Sequence, residues 1–131
     1  MRYLLLIYSN PLAWGHPAFL RAAEAQDMSP QERDRMSEQF ETLLKEITES
    51  GELISAEALA DPVNTRTVKV RGGVPVTTDG PYVEAKEQLA GYFVIDCETP
   101  ERAGEIAARF PDARFAAVEV RPIMNLSAPE M

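Results

Sequence analysis

Residues 3–8 are apolar without a break, Tyr-Leu-Leu-Leu-Ile-Tyr, and the run stops at Ser9-Asn10-Pro11. It is too short for a helix and rich in strand formers, which predicts a central strand covered on both faces. Asn10-Pro11 and Gly15-His16-Pro17 then read as turns, and residues 17–25 suit a short helix with Pro17 at its first position. Ser29-Pro30-Gln31-Glu32 is a stronger helix start. Ser29 caps, Pro30 has no amide hydrogen to leave unsatisfied, and Glu32 completes a capping box. Met36, Phe40, Leu43, Leu44 and Ile47 follow at helical spacing up to Gly51, while Glu38, Glu41, Glu46 and Glu49 fall on the other side. The pattern predicts a long amphipathic helix.

Residues 52–56 read as the returning strand. Residues 65–71 alternate, Gly72-Gly73 supplies a tight turn, and residues 74–78 return, with Pro75 marking an edge or a position next to a bulge. Residues 92–97 form a second buried strand. Thr99-Pro100 repeats the cap-plus-proline start of a helix with Ala103, Ile106, Ala107 and Phe110 inward, Pro111 is its stop, and residues 116–121 alternate as a last strand. The order is strand, helix, strand, inserted hairpin, strand, helix, strand. That order predicts an α+β, ferredoxin-like βαβ-βαβ sandwich with both helices on one face of the sheet. The apolar strands 3–8 and 92–97 then leave a second face to cover, so a homodimer packed sheet against sheet is expected.

A length of 131 residues suits one domain, here 1–124, with a frayed tail over 125–131. The net charge of −8 is concentrated: residues 24–61 hold 11 acidic and 3 basic side chains, and the remainder is neutral. This excludes a general coating of nucleic acid. No apolar run approaches the ~18 residues of a membrane span and no leader-like segment precedes the first strand, so the expectation is a cytoplasmic protein. One cysteine, Cys97, rules out an internal disulfide and reads as a small core residue.

The familiar chemical templates GxGxxG, GxSxG, HExxH and the Walker loop are absent, and no cofactor or metal site is expected. His16, the single histidine, reads either as a lone general base or as a surface-loop residue. The distinctive segment is Thr77-Thr78-Asp79-Gly80-Pro81-Tyr82. Its Asp-Gly-Pro chemistry builds a turn, or aims Asp79 into a cleft beside Glu84, Lys86, Glu87 and Gln88 for acid–base work. Arg66, Lys69 and Arg71 make the hairpin basic, either as an anion contact or as a charged edge that discourages aggregation. The acidic helix side is a solvated face or a docking surface for a basic partner.

The stretch 78–82 followed by Glu84-Ala-Lys-Glu-Gln-Leu-Ala-Gly-Tyr92 resembles the DGPF motif block of the YCII-related proteins, with Tyr82 in place of the motif's phenylalanine. The opening strand, Gly51-Glu-Leu leading to Glu57-Ala-Leu59, and the closing Val118-Glu-Val-Arg-Pro122 are similar to the family pattern too. The resemblance implies a dimeric α+β barrel, a His–Asp pair in YciI-like relatives, and the company of extracytoplasmic-function sigma factors for DGPF members. The long helix holds no histidine to supply that pair; Asp79 matches the motif.

The expectation is a small accessory protein that binds a ligand or a partner, such as a sigma factor, and lacks a complete catalytic constellation. The alternative is a small-molecule enzyme with Asp79 as acid–base residue in a cleft between sheet and long helix. There Arg71 or Lys86 would hold an anionic group, and Tyr8 and Tyr82 would line the wall.

Overall fold

Side chains of the first strand, β1 (Arg2–Ser9), divide between two surfaces. Tyr3, Leu5 and Ile7 are buried against the helices, while Leu4 and Tyr8 on the other face are only half-buried. The alternation separates one helix-covered face from one left partly open, where the unbroken apolar run predicts full cover on both. The structure, a computed structural model, describes residues 1–127.

β1 leads through two 3-10 turns, Pro11–Ala13 and Ala18–Arg21, and a short helix α1 (Ala23–Gln26) into the long helix α2 (Pro30–Glu49). The single short helix expected over 17–25 is thus split at Ala22, whose extended backbone lets Phe19 and Ala25 both turn inward beside Met36. The start of α2 follows the capping chemistry: Ser29 Oγ accepts from the Glu32 amide at 3.2 Å. Met36, Leu43 and Ile47 are its buried residues, with Phe40 partly buried between them.

Four strands make the main sheet: β1, β2 (Leu53–Ala58), β5 (Gln88–Asp96) and β6 (Val118–Pro122), in the order β2-β5-β1-β6 with every neighbour antiparallel. This is the ferredoxin-like strand order, and it makes the protein α+β. Between β2 and β5 the chain leaves the sheet as a separate hairpin of β3 (Arg66–Arg71) and β4 (Val74–Asp79). Gly72 and Gly73 turn it with φ of 57° and 75°, a conformation side chains resist.

Helix α3 (Pro100–Ala108) is capped by Thr99 Oγ1, which accepts from the Arg102 amide at 3.1 Å, and buries Ala103, Ile106 and Ala107. Pro111 both ends this segment and begins another, the short helix α4 (Pro111–Phe115), because proline lacks the amide hydrogen that a first helical position leaves unpaired anyway. The last strand consequently begins at Val118, after the expected 116. Phe40, Phe93 and Phe110 meet edge to face in the core, with centroids 4.8–6.1 Å apart. Cys97 is buried. At the C-terminus Asn125 Oδ1 accepts from the Ser127 amide at 3.0 Å, and residues 128–131 of the expected tail lie outside the described residues. No helix among those described is long and apolar enough to cross a membrane.

Candidate functional site

A cavity of about 380 Å³ opens between the sheet, α2 and the loop that carries His16. Its walls are mostly apolar: Ile7 of β1, Phe40 of α2, Phe93 of β5 and Phe19 of the 3-10 turn. Three titratable residues also line it, Glu57 of β2, His16 and Asp112, the last two from distant parts of the chain.

The His16 loop is pinned to one carbonyl. Trp14 Nε1 donates to the Leu59 oxygen at 3.1 Å, and His16 Nε2 lies 2.7 Å from the same atom. A carbonyl oxygen only accepts, so Nε2 carries the proton, and in the neutral ring Nδ1 is the free acceptor. Leu59 is in turn fixed to β5 by its amide, which donates to the Ala90 oxygen at 2.8 Å. The sheet is tight at this wall. A side chain at Gly91 would place Cβ 2.7 Å from the Glu57 carbonyl oxygen, so only glycine lets β2 and β5 close there.

Asp112 is the second residue of α4, directly after Pro111, and is 8% exposed. Burial pushes its carboxyl up from 3.8 to about 6, partly offset by its own backbone amide and by the charge of His16. Among the described residues it joins no salt bridge. A carboxyl that titrates near neutrality and an imidazole thus line the same cavity. The walls give it an apolar ligand space. Among the described residues no cluster of His, Cys, Asp and Glu suits a metal ion.

The profile of the YCII-related domain family matches residues 1–127. The chain belongs to that family. An uncharacterised protein of Rhizobium meliloti (strain 1021) is 29% identical over 97 residues, covering 72% of this chain and 78% of the relative.

The residues that the sequence of this YCII-related protein singles out are not gathered at the cavity. Asp79 ends β4, exposed, opposite Arg66 in the hairpin register. Arg71 is exposed next to the hairpin turn, and Lys86 is exposed in the segment before β5. Tyr82 is exposed too, with the Lys69 ammonium 5.5 Å from its ring centre. None of these four lines the cavity. The Asp-Gly-Pro turn instead closes the base of the hairpin: the Gly80 amide donates to Thr65 and Thr67 Oγ1 donates to the Gly80 carbonyl. The cleft beside the long helix is present, but Asp79 is held away from it by the outgoing hairpin.

Tyr8 is the exception. It lines a neighbouring groove of about 620 Å³ that shares Ala18, Phe19 and Asp112 with the cavity. Burial raises the pKa of its hydroxyl, with Glu119 adding to the effect. Asp112 is the residue that sequence reasoning missed. The local signal was Pro111-Asp112 after an apolar helix face, which marks a helix start but says nothing of burial.

Proposed function

We propose that this YCII-related protein binds a small, mainly apolar molecule in the His16–Asp112 cavity and moves a proton on it. The observation that carries the reading is a buried carboxyl titrating near neutrality in an apolar cavity that an imidazole also lines. Proton transfer needs no other co-reactant. One group takes the proton, and the other returns it or holds the developing charge.

Trp14, the single tryptophan, meets the His16 ring edge-on at 6.1 Å and serves as the reporter. A panel of small aromatic and aliphatic compounds, each with one hydrogen-bonding group, is titrated while Trp14 emission is followed. Saturable changes in the wild type that weaken in Asp112→Asn support the reading. If no compound perturbs Trp14 or the NMR signals of His16, the reading fails.

The same proposal places the protein in the cytoplasm as a homodimer closed through the open sheet face. The half-buried Leu4, Tyr92 and Val94 around Leu6 on that face support the dimer. The solvent side of α2 favours one second reading. Glu38 and Glu41 are exposed and outside every salt bridge among the described residues, as a dock for a basic partner such as a sigma factor requires. A pull-down with an extracytoplasmic-function sigma factor that recovers nothing at low salt overturns it.

A further inference from the structure

The hairpin β3–β4 pairs only with itself and shares no ladder with the main sheet. Its register sets Val68 and Val70 with Thr77 and Pro75 on one face, and Lys69 and Arg71 with Val76 and Val74 on the other. All four valines are open to solvent, between 43% and 61% exposed. A lone two-stranded ribbon is marginal in water, and four bare valines add to its cost. Such a ribbon persists when something covers it.

Its charge indicates what. Residues 62–78 carry Arg66, Lys69 and Arg71 and no carboxylate, so the whole negative balance of the chain lies elsewhere on it. One row of the main sheet's open face offers the complement, next to a row in which Arg121 stands opposite Leu4. The complementary row, fixed by the strand registers, reads Glu57, Tyr92, Leu6, Glu119, an apolar centre with a carboxylate on each edge strand. Both carboxylates are exposed and stand outside every salt bridge among the described residues. The hairpin shares no ladder with its own main sheet, and a second copy presents the same open face.

We propose that the hairpin is an arm that reaches onto a second copy of this chain, Val74 and Val76 against the margin of the partner's open sheet face and Lys69 and Arg71, on that same hairpin face, against the Glu57 and Glu119 positions there. The arrangement is isologous, each copy giving one arm and receiving one. It rests on the homodimer reading only for the presence of a second copy.

Sedimentation equilibrium of the full chain at low and high salt tests the arm. The wild type is expected to dimerise with salt-weakened affinity. Lys69→Glu with Arg71→Glu should raise the dissociation constant at least tenfold at low salt with the circular dichroism unchanged. Mixing that variant with Glu57→Lys/Glu119→Lys should restore association as a heterodimer. As a second measurement, carbodiimide coupling of mixed ¹⁴N and ¹⁵N wild-type protein should join Lys69 of one isotope to Glu57 or Glu119 of the other. A monomeric wild type overturns both the arm and the dimer. A dimer whose affinity ignores the arm charges, with Lys69 joined only within one chain, overturns the arm and leaves the sheet-face dimer standing.

Discussion

His16 and Asp112 wall one cavity from opposite ends of the chain, and the imidazole's charge is felt at the buried carboxyl. The loop holding His16 hangs on the Leu59 carbonyl, and Asp112 is carried by a helix of five residues that begins at Pro111. Each half of the pair is thus placed by a separate local device. Burial raises the carboxyl's titration toward neutrality.

That burial makes stability depend on pH. The folded carboxyl of Asp112 holds its proton up to about 6, against 3.8 when free. The folded state therefore binds the proton more tightly than the unfolded chain. The contribution is complete below pH 4 and is lost as pH rises through 6, a swing of about 3 kcal/mol at most. Asp112→Asn removes the charge and keeps an acceptor. Urea denaturation should find it more stable than wild type at pH 8 and level with it at pH 4. Parallel pH profiles for the two proteins would sink the assignment.

Glu52 behaves in the opposite sense. Arg102 grips it with Nε at 2.8 Å and Nη2 at 2.9 Å, and that pairing, with Ser50, lowers its carboxyl from 4.5 to about 2. This stability is present above pH 4.5 and disappears as pH falls through 2. Arg102 is about one-third exposed, so water screens part of the pairing. Glu52→Gln is expected to cost about 1–2 kcal/mol at pH 7. The difference from wild type should close in acid, and chemical denaturation at pH 7 and pH 2.5 reads it.

Two glycines should respond in opposite directions to the same change. Gly91→Ala drives a Cβ into the Glu57 carbonyl across the β2–β5 ladder, with an expected loss of about 2 kcal/mol. Gly104 lies in the exposed middle of α3 with nothing within 4 Å of a built Cβ. Gly104→Ala should gain roughly 0.5–1 kcal/mol from helix propensity alone. Thermal melts of both variants separate the steric cost from the conformational one.

The open sheet face predicts its own variant. Val94, half-buried and opposite Leu4, lies near the centre of that face. Val94→Glu should give a monomer by light scattering with its circular dichroism unchanged. A mass equal to that of wild type removes the sheet face from the assembly.

Much of the fold was legible because its determinants are local. Ser29-Pro30 and Thr99-Pro100 start helices through caps that need only neighbouring residues, and both caps are made. Gly72-Gly73 turns a hairpin for the same reason. Boundaries moved where distant contacts intervened. Burial of Phe19 and Ala25 splits the expected helix over 17–25, and pairing of Gln88 with Ser9 starts β5 four residues before Tyr92.

The sequence by itself determined the element order, the α+β class, the family resemblance and the position of the excess negative charge, since periodicity, caps and composition are properties of the chain. Only the tertiary structure decided that Asp79 rides out on the hairpin and that Asp112 lines the same cavity as His16. It also decided that Lys86, Arg71 and Tyr82 stand apart from the cavity. A carboxylate becomes an acid–base group through loss of water and proximity to another charge. Both depend on which remote segments pack together, and no local spacing encodes that.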